Sequence, residues 1–426
     1  MNNPLVFKQR LWMREPDAKL FSYLLRLPKL EAFIVDFKSI SRQKATSNRQ
    51  WVIGQGYQPF NDDAEGDSVV PKEREKRSDF VGRLPDVPIG AFTRLAQAID
   101  ALKPAESSHV RRYGFEAGFQ GVRILVPRGV ETAQNRLRAT YCDQSLTFQH
   151  IMQAIVVPDG DEERAKLLTA LLNSRIAVWY AFHGTASFGS DRPEVGQANL
   201  LILPFPSPAD LPNETAALSA AKELVQIVDE ARAETQNAFA PRVEDQEVLQ
   251  RIDQLAYKYF CLSPDEIALI DDTVDFIMPA VQPHEGHFPD LWQVPDAAQR
   301  ALYAHTLSVS LSGWFQGQNR LGTRLMARSA DLAILRLRLN GHEDYAEEQQ
   351  GDLTTVLEYL SEHIHQPLDG NFQLMPDLRV FVGGCLYLIK PMQLRFWLRS
   401  TALADADGIA LDLQQAVTMQ RPRSAS

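Results

Sequence analysis

Residues 168–206 read LTALLNSRIAVWYAFHGTASFGSDRPEVGQANLLILPFP. With Leu167 just before it, the first half places Leu168, Leu171, Leu172, Ile176 and Trp179 at three- and four-residue spacings, the apolar stripe of an amphipathic helix. Asp161 supplies an N-cap, and His183-Gly184 a stop, so the pattern predicts one helix from Asp161 to Gly184. A polar, glycine-containing loop over Thr185 to Gly196 leads to the apolar run Leu200 to Leu203, which predicts a strand. Pro204, Pro206, Pro208 and Pro212 then mark a domain boundary or a rigid link. A helix with one apolar stripe must bury it against another layer, and the strand signals around it make that layer a sheet.

Upstream, Pro16 to Leu27 reads as a helix, Trp51 to Ile53 as a strand and Gly54-Gln55-Gly56-Tyr57 as a tight turn. Asn61 to Ser78 is polar and charged without an apolar face, which predicts a loop, and Val122 to Val126 and Arg138 to Cys142 predict strands. Downstream, Ala217, Ala221, Leu224, Val228 and Ala231 form a heptad seam on a long helix. Val248, Ile252, Leu255 and Tyr259 repeat the spacing, and Ser263-Pro264-Asp265-Glu266 opens a third helix with an N-cap, a proline and a capping acid. Further on, Asp296 caps a helix running through Ser312. Leu378 to Val382 and Cys385 to Lys390 flank Gly383-Gly384 as a hairpin, and Leu403 to Ala416 forms a last helix. The expected fold class is α+β: a mixed α/β domain over 1–206, an acidic, coiled-coil-like helical arm over 207–280, and a smaller α+β C-terminal domain over 281–426.

The chain has 426 residues, 45% hydrophobic and 23% charged, the composition of a folded globular protein. Its longest apolar runs are far below the ~18 residues of a membrane span, and the first residues lack a signal-peptide core, so a cytoplasmic protein is expected. Cys142, Cys261 and Cys385 offer neither a disulfide framework nor a paired zinc site. The net charge of −10 argues against nucleic acid only until it is mapped. Residues 214–275 hold fourteen acidic and five basic side chains, so the remainder is nearly neutral. Within it, His109 to Arg138 carries six arginines against Glu116 and Glu131, and Arg320 to Arg338 carries five against Asp331, the clustering expected of a basic surface.

Familiar catalytic patterns fail on their chemistry. Gly317 to Thr323 has P-loop glycine spacing but no lysine to reach a phosphate, and Gly54-Gln55-Gly56 runs into Pro59 where a dinucleotide-binding helix should open. His284 and His287 lack the helical spacing that brings two imidazoles to one metal. Pro16-Asp17 followed by Asp36-Phe37-Lys38 has the spacing of a PD-(D/E)xK nuclease, in which two carboxylates hold a divalent cation, although Asp17 stands where a helix N-terminus favours a carboxylate.

A wider pattern is carried by several blocks in order: Trp12 with Asp17-Ala18-Lys19-Leu20-Phe21; Trp51-Val52-Ile53-Gly54-Gln55-Gly56-Tyr57; Arg123-Ile124-Leu125-Val126-Pro127-Arg128-Gly129; Arg138-Ala139-Thr140-Tyr141; and Leu146-Thr147-Phe148. The strongest is Leu168 to Pro206, with Leu171-Leu172-Asn173-Ser174, Trp179-Tyr180, the loop Ala186 to Arg192 and the exit Leu203-Pro204-Phe205-Pro206. Ile252 to Tyr257 and Leu262 to Glu266 follow. Together they resemble the target-recognition region of N6-adenine DNA methyltransferases and the specificity subunits of type I restriction-modification systems. The Asn/Asp-Pro-Pro-Tyr/Phe motif and the glycine-rich cofactor loop of that family occur nowhere in the sequence.

The resemblance implies a DNA-binding specificity subunit of a split adenine methyltransferase in a restriction-modification or phage-defence system. The chain would have no catalytic residues or cofactor of its own. It would form a hetero-oligomer with a catalytic subunit that binds S-adenosylmethionine, and its other partner would be double-stranded DNA. Lys72, Arg74, Arg77, Arg111, Arg112 and Arg128 are expected on phosphates, and Gln55, Tyr57, Ser187 and Arg192 on base edges. For each residue a surface ion pair or a helix cap is the alternative, and Asn173-Ser174 is expected to pack in the core. The alternatives for the whole chain are a scaffold subunit of a defence complex that does not read DNA and, third, the nuclease.

Overall fold

The structure, a computed structural model, describes residues 4–40, 50–60, 75–186, 188, 194–235, 246–281, 288–314, 321–339, 345–347, 352–362 and 378–420. It is of the α+β class. It divides into two compact units, the first spanning Met1–Met13 and Lys19–Ser263, the second Arg14–Ala18 and Pro264–Ser426.

The first unit holds strands β1 (Ile34–Asp36), β2 (Trp51–Gln55), β3 (Gln58–Pro59), β4 (Lys76–Arg77), β5 (Asp86–Val87), β6 (Leu95–Ala96), β7 (His109–Arg112), β8 (Arg123–Pro127), β9 (Thr140–Cys142), β10 (Thr147–Phe148) and β11 (Met152–Val156). Its helices are α1 (Pro4–Trp12), most of α2 (Glu15–Arg26), the single turn α3 (Phe37–Ile40), α4 (Glu162–Leu172), α5 (Arg175–Gly184), α6 (Gln197–Leu201), α7 (Glu214–Thr235) and α8 (Gln246–Tyr259). Six strands form a mixed sheet in the order β1-β2-β11-β8-β9-β6. Ile155 stands opposite Ile53 on one side and Ile124 on the other, a fully buried rank across three strands. Ala154, one residue away, lies between Gly54 and Leu125 and faces a second core with Tyr57, Val87, Phe119 and Phe148.

Gly54 and Gln55 continue β2 instead of turning, which corrects the tight turn expected there. The glycines serve close approach: a Cβ on Gly54 would collide with the Phe115 side chain, and one on Gly56 with the backbone of Phe148 and Gln149.

The helix expected over 161–184 is two, α4 and α5. Asn173 ends α4 because its amide Nδ2 donates to the Ala139 and Thr169 carbonyls at 2.9 and 2.8 Å while its Oδ1 accepts from Arg94 Nη1 and the Ala139 N–H. Ser174 is extended and starts α5. Polar side chains that bind backbone compete with helix continuation, and here they win. Leu200 and Leu201 lie in α6, not in the expected strand. The apolar exit still docks on the N-terminal segment, where the Leu30 N–H donates to Leu203 O at 3.1 Å.

Helices α7 and α8 belong to the first unit and are not a separate arm: α7 packs along α4 and α8, and α8 along α5. The buried stripe of α7 is Ala217, Ala220, Leu224, Ile227 and Val228, so the packed face has Ala220 and Ile227 in place of Ala221 and Ala231 of the expected seam. The interior is pinned by Asp253 of α8. It receives the Arg136 guanidinium on both carboxylate oxygens (Nη1 to Oδ1 2.8 Å) and the Arg175 N–H at 2.8 Å, while Arg136 also donates to Asn173 O at 2.9 Å. Both charges are buried, and a buried pair is tolerated only when its remaining hydrogen-bonding capacity is met, as it is here.

The second unit comprises α9 (Pro264–Asp272), α10 (Met278–Val281), α11 (Ala297–Trp314), β12 (Leu321–Arg328), β13 (Leu332–Leu339), β14 (Ala346–Glu347), α12 (Leu353–Ser361), β15 (Leu378–Val382), β16 (Cys385–Pro391) and α13 (Arg399–Gln420). Its five-stranded sheet runs β14-β12-β13-β16-β15. The β15–β16 hairpin turns on Gly383 and Gly384 at φ 55° and 76°, the left-handed pair that a two-residue turn requires. Helices α11 and α13 cover one face over Leu325, Leu335, Leu337 and Leu388, and α12 packs against the other over Ile334, Val380 and Tyr387. Lys390, fully buried, donates to Asp405 at 2.6 Å, and Tyr303 Oη donates to the same oxygen at 2.6 Å.

Candidate nucleic-acid interface

Beside the main sheet of the first unit lies a small antiparallel one, ordered β3-β7-β4. Its strands are short because Gly114 at φ 75° ends β7 and a register shift interrupts β3. Val110, central in β7, is fully buried in the core below. Strand alternation puts His109 and Arg111 on the opposite, outer face, and the register Arg77↔His109 adds Arg77 to them. Arg112 pairs across with Gln58 at the other end of β7 and is exposed. Lys76 stands 5.2 Å over the ring of the exposed Tyr113, and His109 Nδ1 lies 2.6 Å from Glu75. Among the described residues, Arg77, Arg111 and Arg112 have no ion-pair partner.

Beyond β8, Arg128 reaches the Glu194 carboxylate at 3.1 Å, and its backbone carbonyl accepts from the Val195 N–H. Half-buried His150, in the turn before β11, is held below its ordinary pKa first by burial and then by the charges of Arg128 and Arg112. These three groups therefore lie within electrostatic reach of one another. The surface gathers Lys76, Arg77, Arg111, Arg112, Arg128 and His150 with one exposed aromatic ring, a set suited to phosphates that neutralise several cations at once.

Of the residues chosen from sequence, Arg77, Arg111, Arg112 and Arg128 come together here, and half-buried Gln55 lies nearby, its carbonyl accepting the Phe115 N–H at 2.8 Å. Tyr57 does not present an edge to a base. It is buried beside Asp86, and its hydroxyl is pushed well above the ordinary range by burial first and then by the Asp86 carboxylate. Lys72, Arg74, Ser187 and Arg192 lie outside the described residues. Sequence reasoning passed over Lys76, His109, Tyr113 and His150. His109 and Tyr113 could have been found from the lone aliphatic Val110 set among polar residues, the alternation of a one-faced strand.

Other arginines of residues 109–138 have interior work. Arg123 is fully buried and donates to Gly121 O at 2.6 Å and to Gln144 O, and Arg136 holds Asp253. The proposed nuclease carboxylates are likewise locally engaged. Asp17 is buried and accepts the Arg14 N–H at 3.0 Å, with burial raising its pKa to about 6. Asp36 accepts the Lys38 N–H at 2.8 Å in a local turn. Among the described residues no group of three or more His, Cys, Asp or Glu is placed to hold a metal ion, and no helix is long and apolar enough to cross a membrane. No family model matches the chain, and no curated protein matches it.

Proposed function

We propose that this chain is the DNA-binding specificity subunit of a split N6-adenine DNA methyltransferase, acting in a restriction-modification or phage-defence system with a separate catalytic subunit that holds S-adenosylmethionine. The observation that supports it is the small sheet β3-β7-β4, where Arg77 and Arg111 on the outer face and the exposed Arg112 at the end of β7 stand without ion-pair partners among the described residues. Unpaired guanidiniums on a rigid sheet cost no salt bridge to engage phosphate and are preorganised for it. Arg128 and His150 extend the surface, and Gln55 at the end of β2 offers a polar side chain for base contact.

Chemistry is assigned to the partner because the sequence lacks both the adenine-holding motif and the cofactor loop. In such enzymes the target base must be extruded and held by its own pocket. Pure chain incubated with duplex DNA and radiolabelled S-adenosylmethionine is expected to transfer no methyl group. Transfer above background from material free of other methyltransferases contradicts the split-enzyme proposal.

A further inference from the structure

One titratable side chain stands among the cations of the first unit's basic surface, and backbone contacts fix it there. The His150 N–H donates to Tyr57 O at 2.7 Å, and the next residue, Gln58, is opposite Arg112 in the β3–β7 register. Gly114 seats the end of β7 against the same segment, since a Cβ there would collide with the Gly56 carbonyl and the Tyr57 nitrogen. From the other side the Arg128 N–H donates to Ile151 O at 2.9 Å, which sets Arg128 beside the residue that follows His150. The charged groups acting on the imidazole are Arg128 and Arg112, and Glu194 is already engaged by Arg128. Burial first, and then the two guanidiniums, hold the ring below its ordinary pKa, while the Tyr57 carbonyl opposes them. Its neutral form therefore dominates at pH 7 and above. His109, at the other end of β7, is differently placed, with the Glu75 carboxylate 2.6 Å from its Nδ1.

We infer that duplex DNA binds this surface with uptake of a proton on His150, so that the protein grips phosphate more tightly as the pH falls. A phosphate held by Arg112 and Arg128 offsets the two charges that repel the imidazolium, and an opposite charge within about 4–6 Å favours the protonated form. The protonated ring in turn makes a stronger, charge-assisted hydrogen bond to a phosphate oxygen than the neutral ring does. By linkage, affinity rises with acidity across the interval between the His150 pKa of the free chain and its higher value in the complex. The inference rests on the proposed DNA-binding function and adds the regulation of that same site: acid tightens binding through one residue, without any change in the arginines.

The test uses the full chain and a labelled duplex of about 20 base pairs, with fluorescence anisotropy read across a salt series at pH 8.0 and 6.0 and the fold checked by circular dichroism at each. The parent chain is expected to bind about fivefold more tightly at pH 6.0, since a pKa rise of one unit on binding is worth about tenfold. Its logarithmic salt slope should steepen by as much as about 0.9, one further phosphate contact. His150→Gln is expected to bind equally at the two pH values, and His109→Gln to keep the acid gain. Because a disturbed turn would also abolish the pH effect, proton uptake is measured on the parent itself, by calorimetry at pH 6.5 in two buffers of different ionisation enthalpy. About half a proton per bound duplex is expected. No uptake by the parent, an acid gain that persists in His150→Gln, or one that disappears in His109→Gln overturns the inference. Salt-dependent binding that is the same at both pH values also overturns it and leaves the DNA-binding function standing, whereas no salt-dependent binding at either pH overturns that function itself.

Discussion

The two units place arginines on sheets in different ways. In the first, the basic face rests on strands of two and four residues over an apolar cluster with Tyr57, Val110, Phe119 and Phe148, and elsewhere in the same unit a buried polar lattice runs from Arg94 and Asn173 through Arg136 to Asp253. In the second, β12 and β13 are eight residues each, in antiparallel register with a single irregularity, and Arg324 and Arg336 ride on ordinary strand alternation. Short strands have few ladder hydrogen bonds and depend on tertiary support, whereas long antiparallel strands carry much of their own. A surface built on short strands is thus only as stable as the unit that supports it.

The largest effect expected from this contrast is in the interior. Asp253→Ala leaves the Arg136 guanidinium buried without its carboxylate, a loss of about 3–5 kcal/mol. Hydrogen exchange of the α5 and α8 amides is expected to rise steeply, while amides of β13 and β16 keep their protection. Asp405→Ala, which removes the carboxylate shared by Lys390 and the Tyr303 hydroxyl, is expected to give the reverse pattern. If either variant loosens both regions alike, the two interiors are not supported separately.

Acid should also act with opposite sign on the two regions. Burial, and secondarily the Lys8 charge, lowers the pKa of His183 to about 3, against an ordinary value of 6.5. Between these values the unfolded chain holds the extra proton, so the first unit loses about 1.4 kcal/mol per pH unit as pH falls below 6.5. Asp17 of the second unit behaves oppositely. Burial raises it from 3.8 to about 6, so the folded state holds the extra proton and stability falls by about 1.4 kcal/mol per unit as pH rises from 3.8 to 6. Protection of the α5 amides measured at pH 6.5, 5.5 and 4.5 is expected to decline, and His183→Phe to remove most of that decline. Retention of the full slope in that variant assigns the acid sensitivity to other groups.

Much of this architecture was legible in the sequence. The hairpin at Gly383-Gly384, the capped helix after Asp296 and the strands around Ile53, Ile124 and Tyr141 follow from turn chemistry and alternation that act locally. The break at Asn173-Ser174 was not legible, because what ends α4 there is a set of bonds to Ala139 and Arg94, distant in sequence. The strand expected over Leu200–Leu203 failed because a short apolar run fits a buried helical turn equally well. Residues 332–339, LAILRLRL, alternate plainly enough to predict a strand, yet their arginines drew attention as charge alone. At the candidate site, sequence identified the cations but not their burial. Arg123 and Arg136 look like Arg111 and Arg112 until the fold turns the first two inward.

A smaller effect is expected at the surface. Replacing Arg111 and Arg112 together by alanine should weaken duplex binding by about tenfold, uniformly over unrelated sequences, since phosphate contacts carry affinity without base information. Electrophoretic mobility shifts on a panel of duplexes check this. A loss confined to one sequence class shows these arginines reading bases or groove shape.

The central claim, that an acidic protein carries a built phosphate-binding face, is tested most directly by the salt dependence of duplex binding by the full chain. Engagement of Arg77, Arg111, Arg112 and Arg128 predicts a logarithmic slope of about −3.6, at about −0.9 per phosphate, falling to about −1.8 when Arg111 and Arg112 are alanine. A slope near zero in the parent chain, or one that the double variant leaves unchanged, contradicts the account.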